Sequence, residues 1–458
     1  MKIYDVAIVG AGPAGYMTAY RLVKNKPELK IAIFEKGNTL EKRVCPIQTG
    51  KVKECIHCHT CAVMEGGLGA GAKSDGKYNI TNDFGGSLFE KIGYEKSLKL
   101  QKEADEINLS FLNGIKPKLF SSANNEFKSL CLKNNLHLLD ADIRHLGTDN
   151  NLILGKNLFD YLSDKVDIYY NSPVKIISKN SDNSWNVNDE DEEYKTNKLV
   201  IAAGRAGSKW VETICDNLKI KRNSNRVDIG IRFELPYITF KHLTDKLYES
   251  KIVYRTKLYE DFVRTFCMNP QGFVVNENTN GIITVNGHSN SENGEKSQNT
   301  NFALLVSQNF TEPFNDSNEY GESIARLSNM LGKGVIVQRF GDLIRCKRST
   351  AERLKRNTVI PTLKAEPGDL ALVLPHRILE DIKEMIYALD TIAPGTKNDD
   401  NLLYGVEVKF YNNIVNVNEH LLADDNLYII GDCSGITHSL SQAAASGLFV
   451  ADDIIGGM

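Results

Sequence analysis

Short apolar runs flank one helical stretch at the start of the chain. Val6, Ile8 and Val9 predict a buried strand, and residues 16–24 have the composition of a helix. A second apolar run, residues 31–34, ends directly before Glu35. This order predicts a βαβ unit, in which a helix connects two parallel strands.

The same pattern returns near residue 200 and at the far end of the chain. Residues 198–203 and 426–430 predict buried strands that stop at Gly204 and Gly431. Residues 439–455 then predict a final helix. We therefore expect both ends of the polypeptide to contribute strands to one sheet.

The middle of the chain has a different character. Residues 167–178 predict two strands about a Ser-Pro turn, and residues 226–370 are rich in strand-like alternation. Within that stretch Arg232 and Glu234 lie two positions apart, so their side chains are expected on one strand face. The polar tract 289–301 predicts an exposed loop.

Three glycines follow the first predicted strand at a spacing that serves a physical purpose. Gly10 permits a tight turn, Gly12 lets the backbone approach a pyrophosphate, and Gly15 lets helix and strand pack closely. The helix N-terminus offers N–H groups and the positive end of its dipole to the phosphates. Glu35 is placed to accept hydrogen bonds from a ribose. The complete sequence of strand, glycines, helix, strand and acid predicts a dinucleotide site.

Three later segments favour FAD over NAD as that dinucleotide. Ala203 and Gly204 end a strand with small residues, which suits a backbone that passes close to a cofactor. Asp432 stands at a strand end, where an acid can hold a ribityl hydroxyl. Small residues begin the final helix, so that it can approach a flavin ring and offer its positive end to the N1–C2=O edge. An NAD enzyme needs none of these C-terminal elements.

Together these segments resemble the FAD-binding domain of the glutathione-reductase superfamily. They predict an α/β fold, with a Rossmann-like FAD-binding domain of glutathione-reductase type and an inserted mixed α+β substrate domain. The expected FAD-binding domain comprises residues 1–215 and 401–458, and the inserted domain comprises 216–400. The first part is expected to carry a Cys- and Gly-rich insertion at 37–92 and a helical insertion at 94–135.

Composition narrows the setting in which such a protein works. A formal net charge of −3 over 458 residues argues against a broadly basic nucleic-acid surface. No apolar run reaches membrane-spanning length, and the first predicted strand begins at Ile3, where removal of a signal peptide would destroy it. We therefore expect a cytoplasmic protein with no nucleic-acid partner and no membrane span. Structural disulfides are rare in that compartment, so the nine cysteines need another account.

Four of those cysteines, Cys45, Cys55, Cys58 and Cys61, lie within seventeen residues. The C-x2-C-x2-C spacing is that of bacterial ferredoxins, although here the Cys-Pro pair lies upstream of the cluster rather than downstream. The interleaved His57 and His59 are compatible with a mixed zinc site. Three accounts stay open: a 4Fe–4S cluster, a zinc ion, or uncoordinated and redox-active thiols.

A series of short motifs runs in order along nearly the whole chain. The motifs are Lys42-Arg43-Val44-Cys45-Pro46, the C-x2-C-x2-C of residues 55–61, Gly69-Ala70-Gly71, Ser74-Asp75-Gly76-Lys77, Asp83-Phe84-Gly85-Gly86, residues 144–149, 230–234 and 266–272, Val285-Asn286-Gly287, Gly405-Val406-Glu407 and the Gly431-Asp432 segment. They resemble the family of uncharacterised FAD-dependent dehydrogenases or oxidoreductases. The resemblance implies FAD as cofactor and an oxidoreductase activity, and it leaves the substrate undefined. Lys73 and Lys409 depart from the family pattern, which usually has an aromatic residue and Arg there.

Motif spacing and this resemblance together define the expected cofactor site. Its residues are Gly10, Gly12, Pro13, Ala14, Gly15, Glu35, Lys36, Arg43, Gly71, Val174, Ala203, Gly204, Gly431, Asp432, Gln442, Ala443 and Ala444.

A flavin carries the hydride itself, so the protein has to orient a substrate and move a proton. His438 is the first acid–base candidate, because it lies between the Gly-Asp motif and the final helix. A polar loop histidine is the alternative, and His145 is a weaker candidate. Asp75 and Lys77 are expected either to contact cofactor or substrate or to pair with each other. Arg232 either binds an anionic substrate or forms a structural ion pair.

The leading functional hypothesis is an FAD-dependent dehydrogenase or reductase that passes hydride through flavin N5 to or from a small organic substrate. In one version an iron–sulfur cluster relays the electrons. The sequence contains no second strand–glycine–helix unit for NAD(P)H, so a ferredoxin-like or NAD(P)H donor is expected to dock transiently. The alternatives are a flavin monooxygenase, a flavoprotein that reduces bases in RNA, and a non-enzymatic flavin or thiol redox sensor or electron-transfer module. The acidic charge balance disfavours the RNA alternative.

Overall fold

A computed structural model describes residues 1–52, 56, 58–74, 76–189, 192–247, 249–279, 281–289 and 295–457 of the chain. Two predicted site residues, Cys55 and Asp75, lie outside the described residues.

The regular elements of the described residues alternate between short strands and helices. The strands are β1 (Lys2–Val9), β2 (Ile31–Glu35), β3 (Lys77–Ile80), β4 (Leu119–Ser121), β5 (Leu136–Leu138), β6 (Asp142–His145), β7 (Asp167–Tyr170), β8 (Ile176–Lys179), β9 (Trp185–Asn188), β10 (Glu193–Ile201), β11 (Arg222–Asn223), β12 (Val227–Pro236), β13 (Ile252–Arg255), β14 (Phe262–Asn269), β15 (Phe273–Thr279), β16 (Ile282–His288), β17 (Asn299–Gln308), β18 (Ile336–Arg339), β19 (Glu366–Pro367), β20 (Leu402–Lys409), β21 (Ile414–Val415), β22 (Leu422–Asp424) and β23 (Leu427–Ile429). The α-helices are α1 (Pro13–Asn25), α2 (Leu88–Ile92), α3 (Tyr94–Ser110), α4 (Asn125–Lys133), α5 (Gly147–Ser163), α6 (Ser208–Leu218), α7 (Tyr237–Leu247), α8 (Ser317–Gly332), α9 (Phe340–Ile344), α10 (Ala351–Lys355), α11 (His376–Asp390) and α12 (Leu440–Gly456). Single 3-10 turns occur at Leu40–Lys42, Gly69–Lys73, Arg205–Gly207, Leu370–Leu372 and Asp432–Ser434.

The chain divides into two compact units. Unit 1 comprises Met1–Phe120, Ala141–Asn223 and Asn412–Met458, and unit 2 comprises Ser121–Asp140 and Ser224–Tyr411. The stretch 94–135 contains α3, β4 and α4, and its part from Ser121 onward belongs to unit 2.

Unit 1 is built on an eight-stranded sheet whose central strands run parallel. Its main order is β22-β23-β10-β1-β2-β7, and β9 pairs with both β10 and β8. Helices α1 and α12 pack against each other so closely that a Cβ on Gly447 would lie 2.1 Å from the carbonyl oxygen of Ala14. The strands predicted around β1, β2, β10 and β23 and the predicted helices at α1 and α12 are confirmed. The carboxyl ends of β1, β10 and β23 therefore lie at one edge of the sheet.

Unit 2 is built on a second eight-stranded sheet, mostly antiparallel, in the order β19-β18-β20-β12-β17-β14-β13-β5. Ile229, Ile231 and Phe233 of β12 join an apolar core with residues of α7 and α11. The positions between them carry the polar residues of the strand, as the period of two requires. The prediction of an exposed loop is wrong for its last three residues, because β17 begins at Asn299 and these residues are buried.

The two units together give a mixed α/β protein. Among the described residues, none of the helices has the length and apolar character needed to cross a membrane.

Candidate functional site

The glycine-rich turn between β1 and α1 has two glycines that the fold requires. Gly10 has a φ of +109°, and a Cβ on it would lie 2.4 Å from the carbonyl oxygen of Ala202. A Cβ on Gly15 would lie 1.9 Å from the carbonyl oxygen of Gly10. The atom nearest to a Cβ on Gly12 is the Cα of Gly69, 3.9 Å away. Gly12 therefore leaves a small space between the turn and Gly69 that a side chain would fill. We call this space the cradle, and it suits a ligand.

The N-terminus of α1 offers donors to that cradle. Gly12 is the N-cap residue, and no side chain caps the helix. Pro13 occupies the first turn, where its missing N–H costs nothing. Ala14 and Gly15 follow with their backbone N–H groups at the positive end of the helix dipole. This donor set fits the pyrophosphate of a dinucleotide.

Glu35 is the last residue of β2, and its buried carboxylate accepts hydrogen bonds from three backbone N–H groups. Its Oε2 accepts from the N–H of Ala11 at 2.9 Å, and its Oε1 accepts from Gly37 at 2.8 Å and Gly66 at 2.9 Å. An ionised carboxylate has about four acceptor positions, so capacity remains for a ribose hydroxyl. The adjacent predicted residue Lys36 pairs instead with Glu65, at 2.6 Å.

Arg43 organises the loop that follows the cysteine cluster. Its guanidinium is buried and donates to four carbonyl oxygens, those of Ala62, Val63, Gly67 and Gly69, at 2.6–3.0 Å. Burial lowers the pKa of Arg43 below its ordinary value. These contacts give Arg43 a structural task, and its contact with a cofactor stays a prediction.

The loop held by Arg43 approaches both the glycine-rich turn and the start of α12. A Cβ on Gly69 would lie 3.0 Å from the Cα of Gly12. A Cβ on Gly71 would lie 3.1 Å from Leu440, the first residue of α12. Asn151 fixes this arrangement by donating from Nδ2 to the carbonyl oxygen of Gly71 at 3.1 Å.

Two further glycines end parallel strands in the same conformation. Gly204 follows β10 with φ +64° and ψ −167°, and Gly431 follows β23 with φ +68° and ψ −165°. Only glycine adopts this region readily. Each glycine is followed by a 3-10 turn, and Arg205 of one turn reaches Asp432 of the other at 3.4 Å. Among the described residues other than its two neighbours, no atom lies within 4 Å of a Cβ on Gly204, so space remains beside this glycine.

We call these features the glycine edge. It comprises Gly12, Gly69, Gly71, Gly204, Gly431 and the first turn of α12.

Two residues in the first turn of α12, Gln442 and Ser441, are buried polar residues with different surroundings. Gln442 is fully buried and donates from Nε2 to the carbonyl oxygens of Thr81 and Phe84, so it anchors the Asp83-Phe84-Gly85-Gly86 motif. Ala443 and Ala444 are buried beside it. The hydroxyl of Ser441 is buried and has no hydrogen-bond partner among the residues that the structure describes. That orphaned hydroxyl and the helix N-terminus fit a polar ligand edge.

The predicted catalytic residues come from two places in unit 1. The backbone N–H of His438 donates to the carbonyl oxygen of Gly85 at 2.8 Å, which fixes the histidine two residues before α12. Lys77 begins β3, and its cross-strand neighbour on β6 is His145. Val174, predicted to bind the cofactor, is buried in the connection between β7 and β8.

The described cysteines of the predicted metal cluster keep free thiols. Cys45 and Cys61 are half-buried and Cys58 is exposed, whereas Cys55 lies outside the described residues. Within the described ranges, no three His, Cys, Asp or Glu side chains come together as metal ligands. The described part of the chain therefore does not support a metal centre, and no electron relay is derived from it.

Cys433 is the cysteine nearest in sequence to the glycine edge. Its buried Sγ contacts the carbonyl oxygen of Ile430 at 3.2 Å, and burial raises the pKa of the thiol to about 12. A thiol in this state is a poor nucleophile at neutral pH.

In unit 2, Arg232 and Glu234 share one face of β12, as predicted, but do not pair with each other. Arg232 is fully buried and contacts Glu407 at 3.3 Å. Glu234 accepts from the hydroxyls of Tyr404 and Thr362 at 2.6 and 2.5 Å. Of the two predicted roles for Arg232, the structure shows the ion pair.

Sequence reasoning did not identify two residues that organise these regions. Asn151 holds the loop at Gly71, and Arg264 pairs with Asp228 of β12. The available signal in unit 2 was the placement of Asp228, Arg232 and Glu234 on one face of the buried strand β12.

Two family models match the chain in sequence. Residues 4–214 match the pyridine nucleotide-disulphide oxidoreductase model, and residues 237–410 match the model of the FAD-dependent protein, C-terminal domain-like.

Individual relatives are distant. An uncharacterized protein of Clostridium beijerinckii is 25% identical over 476 residues, covering 98% of this chain and 80% of the relative. The mitochondrial L-2-hydroxyglutarate dehydrogenase of Dictyostelium discoideum is 46% identical over 56 residues, 12% of either chain. The solved structure of glycine oxidase from Geobacillus kaustophilus aligns with 100% of this chain and 95% of its own, at 13% identity and a TM-score of 0.40.

The two family matches lie on the two units whose geometry is described above, one on the glycine-rich turn and one on the second sheet. This chain is an FAD-dependent oxidoreductase.

Proposed function

We propose that the chain binds FAD at the glycine edge of unit 1, as glutathione-reductase-type proteins do, and uses it as a dehydrogenase or reductase of a small organic substrate. One observation carries this proposal. Three parallel strands, β1, β10 and β23, end at one edge in glycine turns beside the uncapped N-terminus of α1.

Different residues at this edge would contact different parts of FAD. The N–H groups of Ala14 and Gly15 would hold the pyrophosphate, and the remaining acceptor capacity of Glu35 would hold a ribose hydroxyl. Asp432 would hold a ribityl hydroxyl. The N-terminus of α12, with the unpartnered hydroxyl of Ser441, would face the N1–C2=O edge of the ring.

FAD, when bound, supplies the site that accepts or donates hydride. The remaining chemistry belongs to the chain. His438 would give or take the substrate proton, and its position is fixed by the hydrogen bond between its backbone N–H and Gly85. Lys77 would orient the substrate, with His145 as its cross-strand neighbour. The role of Asp75 rests on its sequence position alone.

A metal at Cys45, Cys55, Cys58 and Cys61 remains a separate proposal. The C-x2-C-x2-C spacing supports it. Among the described residues, however, no three possible metal ligands come together. Iron, sulfide and zinc analysis after anaerobic purification decides among a 4Fe–4S cluster, zinc and free thiols.

The test of the proposed function starts from anaerobically purified protein. We expect one FAD per chain and the absorption spectrum of a flavoprotein. Anaerobic mixing with NADH, NADPH or reduced ferredoxin then identifies the donor by the loss of the yellow flavin band. Protein that is colourless and cannot take up added FAD would refute the proposal. Reversible bleaching without product in a substrate screen would instead indicate an electron-transfer module.

The proton-transfer step has a matched pair of variants. His438→Asn should lower the rate of flavin reduction by substrate and remove one limb of its pH profile. His376→Asn changes an exposed histidine on α11 of unit 2 and should leave both unchanged. Equal rates and pH profiles in the two variants would exclude His438.

A further inference from the structure

A short loop of unit 2, residues 256–261, connects β13 to β14 and packs along α11. We call it the β13–β14 loop. Arg377, Asp381 and Glu384 lie on the side of α11 that meets this loop, because they follow one another at spacings of four and three residues. Asp261 of the loop pairs with Arg377 at 2.5 Å, and Glu384 accepts from two backbone N–H groups of the loop at 2.7 and 3.1 Å. Asp381 therefore lies between the two contacts that hold the loop to the helix.

Asp381 differs from the other two carboxyls of this region in its surroundings. It is fully buried, and neither of its carboxyl oxygens has a hydrogen-bond partner among the residues that the structure describes. Arg377, the cation on this side of α11, is bound to Asp261 by two hydrogen bonds of 2.5 and 2.7 Å. A buried carboxylate without donors or a cation of its own is costly, and a proton on the carboxyl removes that cost.

The strands packed against this side of α11 present groups that are uncharged near neutral pH. β13 contributes Tyr254, whose hydroxyl donates to Glu384 at 3.5 Å. β17 contributes the amide of Gln308, which faces Asp261. β12 and β14 contribute apolar side chains to the core under the helix. The charges around Asp381 are therefore those of the β13–β14 loop and of α11 itself.

These surroundings drive the acidities of the two aspartates apart. The guanidinium of Arg377 lowers the pKa of Asp261 below its ordinary value. Burial raises the pKa of Asp381 to about 7, the carboxyl of Asp261 adds to the rise, and the hydroxyl of Thr256 and the charge of Arg377 oppose it. Two adjacent carboxyls of this kind hold one proton between them over a wide range of pH.

We propose that Asp261 and Asp381 share one proton, and that this proton fastens the β13–β14 loop to α11 as a pH-sensitive latch. The proton comes from solvent and resides on Asp381, whose O–H donates to the carboxylate of Asp261. When the proton returns to solvent, two adjacent carboxylates repel each other beside a single guanidinium, and the loop is released. The latch lies within unit 2 and acts independently of FAD.

The direction of the pH dependence follows from the site of the proton. The pKa of Asp381 is raised in the folded state from its ordinary value of 3.8, so the folded protein binds the additional proton. The contribution of the latch is therefore complete below pH 3.8 and is lost as the pH rises through about 7.

Infrared titration of the full chain detects the shared proton. The carbonyl band of the protonated carboxyl should disappear with a midpoint near pH 7. The pKa of Glu407 is also about 7, so the series is measured in the Glu407→Gln background. Asp381→Asn should lack the band. Asp261→Asn removes the like charge and should lower the midpoint of the band by about one pH unit.

Hydrogen–deuterium exchange in the same background tests the latch itself. The reporters are the backbone N–H groups of Lys257 and Leu258, which donate to Glu384. Protection is corrected for the intrinsic pH dependence of exchange. It should fall about fivefold or more between about pH 6 and about pH 8, and it should stay constant in Asp381→Asn.

Glu380→Gln is the matched control, because it changes the preceding residue of α11. Its carboxylate pairs with Lys383 at 2.7 Å. This variant should show the same band and the same loss of protection as its parent.

Each other outcome counts against the inference. A band with a midpoint below about pH 5, or one that persists in Asp381→Asn, overturns the shared proton. Protection of the loop that does not change with pH, or that falls equally in Asp381→Asn, overturns the latch. Because both readouts are independent of bound FAD, failure of the proposed function leaves the latch intact, and failure of the latch leaves the proposed function intact.

Discussion

The two sheets of this molecule form their polar surfaces in opposite ways. At the glycine edge of unit 1 the absence of side chains, as at Gly12 and Gly204, leaves room beside the backbone. On the polar face of β12 in unit 2, which carries Asp228, Arg232 and Glu234, long side chains meet across strands, such as Arg264 with Asp228. A backbone site is encoded by short motifs, whereas a side-chain site depends on strand register. The two are therefore expected to respond differently to substitution.

The largest effect is expected at Gly15, where the backbone itself leaves no room. Gly15→Ala places a Cβ where the carbonyl oxygen of Gly10 would be only 1.9 Å away. We expect a loss of unfolding free energy of about 3 kcal/mol or more, because β1 and α1 must separate. Chemical denaturation of the FAD-free protein measures it. Unchanged stability would show that this turn is not built as described.

The stability of the protein should depend on pH through Glu407, whose buried carboxyl pairs with Arg232 on the polar face of β12. The pKa of Glu407 is raised from 4.5 to about 7 in the folded state, so the folded protein binds the additional proton. Its stabilising contribution is complete below about pH 4.5 and is lost as the pH rises through about 7. Relative to wild type, Glu407→Gln should therefore become more stable by about 3 kcal/mol between these limits.

The control for this pH series is Glu322→Gln, which removes a half-exposed carboxylate on α8. Its stability difference from wild type should stay within about 0.5 kcal/mol over the same range. A flat difference for Glu407→Gln as well would mean that this carboxyl is not desolvated.

A smaller and more selective effect is expected at Gly12. In Gly12→Ala the new Cβ lies 3.9 Å from the Cα of Gly69, the nearest described atom outside the adjacent residues, so the FAD-free protein should lose about 1 kcal/mol or less of unfolding free energy. The new methyl group occupies the cradle, and FAD affinity should fall about tenfold or more. Fluorescence titration of FAD measures the affinity. A variant that binds FAD as wild type does would place the pyrophosphate elsewhere.

The smallest effect is expected at Cys433, which lies beside the glycine edge but is buried with its pKa raised to about 12. Alkylation of the native protein at about pH 8 should modify exposed Cys346 and leave Cys433 untouched. Peptide mass analysis reads out both sites, and unfolding in denaturant provides the control. Rapid native modification of Cys433 would contradict its burial.

The contrast between the two regions also explains what the sequence could predict. Strands β1, β2, β10 and β23 and helices α1 and α12 were predictable, because each combines an apolar run with a glycine or acid at its end. The contacts of the polar residues of β12 were not predictable, because they join residues far apart in sequence, such as Arg232 and Glu407. Asn301 was assigned to a loop from its polar neighbours, although pairing with β12 makes it part of a buried strand.

Arg43 shows the same limit inside unit 1. Its motif marked it as a site residue, but its four carbonyl partners depend on the path of the loop that follows. A motif indicates which part of the chain forms a site. It does not show whether a given residue contacts the ligand or holds the surrounding loop in place.

Hydrogen–deuterium exchange of the FAD-free and FAD-loaded protein tests the central claim most directly. We predict that FAD protects the backbone amides of residues 11–16, 66–72, 203–207 and 431–443, the segments that form the glycine edge and its flanks. Protection confined to other parts of the chain, or no change in these four segments when FAD is bound, would contradict the claim.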